Sequence, residues 1–259
     1  MRLEVLYNPR LLCERLAELS LARRRLEKLH GTVAAGLTTG HIDSLELLDL
    51  LRPNPPRVIY DVGANVGTWT LLAKALFPQS EIHAFEPLPV HSGKFRNATQ
   101  SLPRVQLYEI GLGSKSCRTM MKVTDFSDAS SLLPLSETGK KQWRLEQVAE
   151  VPIRVERLDD WVARHKLPLP DLIKLDVQGF ELEVLRGAER TLASTRAVLL
   201  EASFKVFYEG QCRFDQLVSW LAQFGLHTYA LGQGARLGQP LLQADILFLS
   251  ETTPRSECL

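Results

Sequence analysis

The segment VIYDVGANVGT, from Val58 to Thr68, has the pattern of a strand that ends in a glycine-rich turn. Three apolar or aromatic residues lead into a run with glycine at positions 63 and 67, and residues 70–77 then have helical spacing. A second apolar run, EIHAF, follows and ends at the acidic Glu86. This order predicts a strand, a turn, a helix and a second strand, which is the βαβ unit of nucleotide-binding folds.

Two ligand classes compete for such a turn, and its residues favour one of them. Dinucleotide folds place a second glycine where the pyrophosphate approaches the backbone, and this chain has Asn65 there. Asp61 would repel a pyrophosphate, whereas it suits the ammonium group of S-adenosylmethionine. The carboxylate of that ligand would take N–H groups of the turn, and Glu86 would accept hydrogen bonds from the ribose hydroxyls. We therefore expect a cofactor site made by Asp61, Gly63, Asn65, Gly67, Thr68, Glu86 and Pro87.

The composition of the chain argues against several classes of protein. The chain has 259 residues, of which 31 are basic and 30 acidic, and this balance argues against a general nucleic-acid binder. No apolar run reaches the roughly 18 residues of a membrane span, and the first residues lack the apolar core of a signal peptide. The four cysteines lie far apart, so neither a zinc site nor a disulfide framework is indicated. We expect a cytoplasmic protein with no membrane span.

Residues 1–52 are predicted to form an N-terminal helical segment. Residues 9–29 carry leucines at steps of three and four, which is typical of an amphipathic helix: Leu11, Leu12, Leu16, Leu19, Leu26 and Leu29. A short helix over Asp43 to Leu51 follows, with Asp43 as its expected N-cap. The sequence PNPP then ends helical structure and begins the main domain, residues 53–259. The segment could cap the cofactor cleft or form a homodimer contact.

The rest of the chain alternates strands and helices, which predicts an α/β fold with a mostly parallel sheet. The stretch Gly111 to Val155 interrupts the alternation with period-two segments that predict antiparallel strands. One helix is expected over Gly179 to Leu192. The last two strands, near residues 226–230 and 246–249, are expected to form a hairpin through the glycine-rich residues 232–238.

Several motifs together resemble the FkbM family of S-adenosylmethionine-dependent methyltransferases. They are DVGANVG, AFEP, LDDW, IKLDVQGFELEVLRGA, EAS and ADILFL, and they span about three quarters of the chain. The resemblance implies a class I, Rossmann-like methyltransferase fold with seven strands in the order 3-2-1-4-5-7-6, of which only the seventh is antiparallel. It also implies O-methylation of a hydroxyl on a small molecule, sugar or other natural product. The family often reads DVEG where this chain has Gln178.

Carboxylates are the candidates for catalysis. Methyl transfer depends mainly on alignment, so a base or metal is needed chiefly for the proton of the acceptor. Asp176 and Glu201 are expected to end neighbouring strands, Glu181 lies in the next helical turn, and Lys174 shares a strand face with Asp176. Three interpretations stay open: Lys174 merely neutralises the acids, one carboxylate is a general base, or Asp176, Glu181 and Glu201 bind Mg²⁺.

The remaining expectations concern the far end of the cofactor and the competing functions. Gly111 and Leu112 lie where an adenine ring would bind, Ser130 and Ser131 are expected to touch cofactor or acceptor, and Asp176 is expected to contact the cofactor as well. N-methylation is a rival activity, but its N/D-PP-Y type of motif is missing where DVQG stands. A catalytically inactive cofactor-binding protein is the other rival, and the presence of Asp61, Glu86 and Asp176 argues against it.

Overall fold

A computed structural model of the chain describes residues 9–232 and 241–251. A seven-stranded sheet forms its centre, with strands β1 (Val58–Val62), β2 (Glu81–Phe85), β3 (Val105–Tyr108), β7 (Leu172–Leu175), β8 (Ala197–Ser203), β9 (Leu226–Leu231) and β10 (Gln243–Ser250). The order is β3-β2-β1-β7-β8-β10-β9, and β10 runs antiparallel to both of its neighbours. Counted along the chain, this is the predicted order 3-2-1-4-5-7-6, so the expected fold is confirmed.

A second, three-stranded sheet occupies the stretch that interrupts the alternation. It contains β4 (Gly111–Leu112), β5 (Cys117–Thr124) and β6 (Gln147–Glu156) in the order β4-β6-β5. β5 and β6 are antiparallel, as the period-two pattern predicted. The pairing of β9 with β10 confirms the expected terminal hairpin, while residues 233–238 of its predicted connection lie outside the described residues.

Nine α-helices of the described residues surround these sheets. They are α1 (Pro9–Leu29), α2 (Leu45–Asp49), α3 (Thr68–Leu76), α4 (Pro89–Thr99), α5 (Glu137–Trp143), α6 (Leu158–His165), α7 (Glu181–Arg186), α8 (Glu189–Leu192) and α9 (Phe214–Ala222). The single helix predicted over residues 179–192 is wrong, because it is divided into α7 and α8 at Gly187. A Cβ at that glycine would lie 2.1 Å from the carbonyl oxygen of Gly113, and the Asp159 carboxylate accepts hydrogen bonds from the N–H groups of Arg190 and Thr191, which start the new helix.

The N-terminal segment packs against one face of the sheet. Leucines of α1 and α2 are buried in one apolar cluster with Ile59 of β1 and Leu199 of β8: Leu29, Leu45, Leu47 and Leu48. Burial of each such side chain stabilises the fold by about 1.5 to 3 kcal/mol. Leu26 also packs on this cluster, whereas Leu19 is 57% exposed. The side chains of Leu11, Leu12 and Leu16 lie outside the described part of the chain.

The start of α2 differs from the prediction. Ser44, and not Asp43, holds the N-cap position, so the expected N-cap is wrong. The reason is long-range: Arg25 of α1 donates hydrogen bonds to the carbonyl oxygens of Ile42 and Asp43 and thereby fixes the turn before the helix. No helix within the described ranges is long and apolar enough to cross a membrane.

Candidate active site

A cavity of about 260 Å³ opens at the carboxyl edge of the parallel strands, where open α/β sheets bind ligands. Ten of the predicted site residues line it: Gly63, Asn65, Thr68, Glu86, Pro87, Gly111, Leu112, Lys174, Asp176 and Glu201. Four others do not belong to the lining residues, namely Asp61, Gly67, Ser131 and Glu181. Ser130, which was predicted together with Ser131, lines the cavity as well. The structure therefore brings most of the predicted site together at one surface.

The turn after β1 has a backbone that few sequences can adopt. Gly63 has φ of 76°, and a Cβ there would lie 1.9 Å from the carbonyl oxygen of Asp176. Gly67 has φ of 92° and Asn65 has φ of 47°, a left-handed conformation that asparagine tolerates better than most residues. The turn consequently passes close to the end of β7 and leads directly into α3.

Glu86 is held in place directly after β2. Its Oε2 accepts a hydrogen bond of 3.0 Å from the Asn65 N–H, and its Oε1 accepts one of 2.9 Å from the Leu88 N–H. His91 Nδ1 lies 3.5 Å from Oε1. Each carboxylate oxygen can accept more than one hydrogen bond, so the fixed carboxylate can still accept from hydroxyls of a ligand in the cavity.

Asp61 lies beneath the turn and is fully buried. It accepts a hydrogen bond of 2.6 Å from the Thr70 hydroxyl, and its other oxygen lies 3.3 Å from Lys174 Nζ. The two residues are paired across β1 and β7. Lys174 also donates to the carbonyl oxygen of Gly63 at 2.9 Å. Lys174 thus separates Asp61 from the cavity and ties β7 to the glycine turn.

A charged lysine is maintained at this buried position by its neighbours. Burial alone would lower the pKa of Lys174, but the carboxylates of Asp61 and Asp176 raise it above its usual value. Asp176 lies 3.8 Å from Nζ, and its side chain is 39% exposed. The interpretation of Lys174 as a structural counter-ion is therefore compatible with these contacts, with Asp61 as its nearer partner.

Gln178 connects two carboxylates, that of Asp176 directly after β7 and that of Glu201 in β8. Its Nε2 donates to Asp176 Oδ1 at 2.7 Å and to Glu201 Oε2 at 3.3 Å. Tyr208 donates its hydroxyl to Gln178 Oε1 at 2.8 Å, an arrangement in which the amide nitrogen faces the carboxylates. Ser131 donates to the Gln178 carbonyl oxygen at 2.7 Å. Ser131 therefore acts on the backbone of residue 178, whose φ is 54°.

Glu181 is bonded to the backbone of the turn that follows β7. Its Oε1 accepts hydrogen bonds from the N–H groups of Val177 at 3.2 Å and Gly179 at 3.0 Å. Burial raises the pKa of Glu181 to about 7. The described residues contain no group of three or more histidine, cysteine or acidic side chains arranged to hold a metal ion. The predicted magnesium site of Asp176, Glu181 and Glu201 is not formed, because Glu181 makes these backbone contacts.

Several lining residues were missed at the sequence level, among them Asp43, Ser44 and Asp245. Asp245 lies opposite Glu201 in the antiparallel register of β10 and β8. Burial raises the pKa of Asp245 to about 6, although the Ser44 hydroxyl donates to it at 2.6 Å. Burial and the nearby carboxylates of Asp176 and Asp245 raise the pKa of Glu201 well above its usual value. Asp245 belongs to the motif ADILFL, but no local pattern shows that it meets Ser44, because the two residues come together only through packing of distant segments.

Sequence comparison finds a family model and several known proteins that are similar to this chain. Residues 61–227 match the family model described as the methyltransferase FkbM domain. The chain is 30% identical over 195 residues to the 2-O-methyltransferase NoeI of Sinorhizobium fredii, covering 72% of this chain and 78% of that protein. It is 29% identical to the hexuronic acid methyltransferase AglP of Haloferax volcanii, covering 62% of each chain.

A third relative is the 31-O-demethyl-FK506 methyltransferase FkbM of Streptomyces tacrolimicus, which is 29% identical over 60% of this chain and 73% of its own length. The family model alone covers more than half of the chain, including the glycine turn, the carboxylates after β2 and β7, and Glu201 in β8. These matches agree with the seven-stranded sheet and with the position of the cavity. The chain therefore belongs to the FkbM family of S-adenosylmethionine-dependent methyltransferases.

Proposed function

We propose that the protein transfers the methyl group of S-adenosylmethionine to a hydroxyl of a small molecule or sugar, leaving S-adenosylhomocysteine. The cofactor's ribose hydroxyls bind Glu86, and its adenine lies beside Pro87, Gly111 and Leu112, all of which line the cavity. The N–H groups of Gly63 and Ala64 already bond the Phe85 carbonyl, so the first turn of α3 receives the cofactor's carboxylate. This placement directs the methyl group toward the ends of β7 and β8.

Asp176 is the proposed general base. The observation that carries this assignment is its position: the carboxylate is partly exposed in the cavity and accepts a 2.7 Å hydrogen bond from Gln178. Glu201 is less suited, because its raised pKa favours the protonated form, which cannot accept another proton. The cofactor supplies an electrophilic methyl group, and the chain's contribution is to align the acceptor hydroxyl and remove its proton.

Two relatives support a hydroxyl acceptor, because the names of NoeI and FkbM specify O-methylation. The name of AglP specifies a hexuronic acid, which supports a sugar as the class of acceptor. Calorimetric titrations with S-adenosylhomocysteine and with NAD test the cofactor, and we expect binding of the former alone. Transfer of a labelled methyl group to a panel of glycosides and small alcohols tests the reaction. Binding of NAD, or methylation of amines in preference to hydroxyls, would contradict the proposal.

The N-terminal segment is proposed to act as a cap on the cavity. Four residues of this segment line the cavity: Gly40, His41, Asp43 and Ser44. The leucines of α1 and α2 are buried against the sheet of the same chain. The alternative, a homodimer contact, would use exposed residues such as Leu19. Light scattering of the full chain and of Leu19→Gln separates the two roles. A cap predicts the same mass for both proteins, whereas a dimer dissociated by the substitution would contradict it.

A further inference from the structure

One wall of the cavity is built from residues outside the segment that matches the family model. Asp43 and Ser44 precede residue 61, and Asp245 follows residue 227. The matched segment supplies the glycine turn, Glu86, Asp176 and Glu201. The wall made by Asp43, Ser44 and Asp245, here called the outer wall, therefore combines two parts of the chain that lie on either side of the matched segment.

The outer wall is held rigidly. The Arg25 side chain is 9% exposed, and it donates to the carbonyl oxygens of Ile42 at 2.7 Å and Asp43 at 3.2 Å and to Glu46 Oε2 at 2.6 Å. Ser44 donates to Asp245 Oδ2 and accepts a 3.2 Å hydrogen bond from Trp69 Nε1. The turn before α2 is therefore fixed to α1 on one side and to the sheet on the other.

Charge gives the outer wall its chemical preference. Six acidic side chains line the cavity: Asp43, Glu86, Asp128, Asp176, Glu201 and Asp245. Lys174 is the only lysine or arginine among the described lining residues, and its ammonium already contacts Asp61 and the Gly63 carbonyl. An anionic acceptor would meet repulsion from the ionised acids among these six, whereas hydroxyl and ammonium groups can donate hydrogen bonds to them. Burial is the main cause of the raised pKa of Asp245, and the nearby carboxylates of Asp176 and Asp43 raise it further.

We propose that Asp43, Ser44 and Asp245 form an acceptor subsite that binds an amino sugar or similar aminated polyol and disfavours acceptors that carry a carboxylate. Arg25 is a positioning residue of this subsite, because it fixes the turn that carries Asp43 and Ser44. The assignment rests on the proposed methyl transfer to a hydroxyl. It extends that proposal by naming the charge of the acceptor.

Binding of three methyl glycosides to the enzyme saturated with S-adenosylhomocysteine tests the subsite. The probes are those of glucosamine, glucose and glucuronic acid, measured by calorimetry or saturation-transfer NMR. One charge-assisted hydrogen bond corresponds to about a tenfold change in affinity, so we expect the glucosaminide to bind at least about tenfold more tightly than the glucuronide. Asp245→Asn should reduce this ratio to within about threefold. Equal binding of both, an unchanged ratio in the variant, or no binding of any probe would overturn the subsite.

Two variants of α1 test the positioning role. Arg25→Ala should weaken glucosaminide binding about tenfold while the affinity for S-adenosylhomocysteine stays within about twofold. Lys28→Ala is the matched control, because it removes the more exposed ion pair of Lys28 with Asp49 between the same two helices and should change neither affinity. Ser44→Ala is measured with the same two ligands, because it changes the subsite itself without removing a buried charge. Equal losses of cofactor and glycoside affinity would overturn the role of Arg25, whereas failure of the wild-type chain to bind S-adenosylhomocysteine would contradict the proposed function instead.

Discussion

The two ends of the cavity are built in different ways. At the cofactor end, the glycine turn, Glu86, Gly111 and Leu112 come from about 50 consecutive positions of β1 to β4. At the acceptor end, Ser44, Asp176, Glu201 and Asp245 come from four separate segments that meet only across the sheet. The first end depends on local backbone geometry, and the second depends on strand register and on the docking of the N-terminal segment.

This difference predicts which properties change separately. Substitutions at the cofactor end should change the affinity for S-adenosylhomocysteine, because its residues would contact the cofactor directly. Substitutions at the acceptor end should change turnover or acceptor choice with little effect on the cofactor. The buried acids behind the acceptor end should instead make the stability of the fold depend on pH.

The largest expected effect is on turnover in Asp176→Asn. An asparagine keeps the shape of the side chain but cannot remove the acceptor proton, so the rate should fall by about a hundredfold or more. Affinity for S-adenosylhomocysteine, measured by calorimetry, should remain near that of the wild type. The control is Glu201→Gln, which should lose less activity because residue 201 is not the proposed base. Full activity of Asp176→Asn would leave alignment as the source of catalysis.

Glu86→Ala should have the largest effect on the cofactor. It removes two charge-assisted hydrogen bonds to the ribose, each of about 1.5 to 3 kcal/mol, so affinity for S-adenosylhomocysteine should fall at least about tenfold. Glu81→Ala changes an acid at the opposite end of the same strand and should leave calorimetric affinity unchanged. Wild-type binding by Glu86→Ala would remove the basis for the cofactor placement.

Gln178→Glu tests the bridge between the acceptor-end carboxylates. The new carboxyl would replace an amide that lies 2.7 Å from Asp176 Oδ1 and 3.3 Å from Glu201 Oε2, so its pKa in the folded state would exceed that in the unfolded chain. The unfolded chain then binds fewer protons, and the variant loses stability relative to the wild type as pH rises.

Melting temperatures at pH 5 and pH 8 measure this loss, and we expect the difference from the wild type to grow by several degrees between them. Gln223→Glu changes an exposed amide just beyond α9 and should follow the wild type at both values. A Gln178→Glu protein whose melting curve stays parallel to that of the wild type would show that Gln178 does not bridge the acids.

Glu181→Gln should give the smallest effect. The pKa of Glu181 is raised from 4.5 to about 7 in the folded protein, so its contribution to stability is present below about pH 4.5 and is lost as pH rises through 7. The glutamine oxygen can still accept from Val177 and Gly179 but does not titrate. Thermal unfolding from pH 5 to pH 8 should therefore show a shallower decline in the variant, by a few degrees. Identical slopes would contradict the buried, titrating carboxyl.

The sequence alone was sufficient for features that depend on short-range geometry. The glycines at 63 and 67 indicated the turn, because its left-handed backbone strongly favours glycine there. Glu86 and Asp176 could be predicted because residues directly after parallel strands gather at one sheet edge. The hydrophobic periodicity of residues 9–29 predicted the bounds of α1 correctly.

Only the tertiary structure decided which side chains face the cavity. Asp61 appeared suited to the cofactor's ammonium, but its pairing with Lys174 across two strands places it beneath the turn. Ser44 and Asp245 are 201 positions apart and meet through a hydrogen bond, for which no local pattern exists. Local sequence determines backbone geometry through φ, ψ and side-chain spacing, whereas such contacts depend on strand register and packing, to which the whole chain contributes.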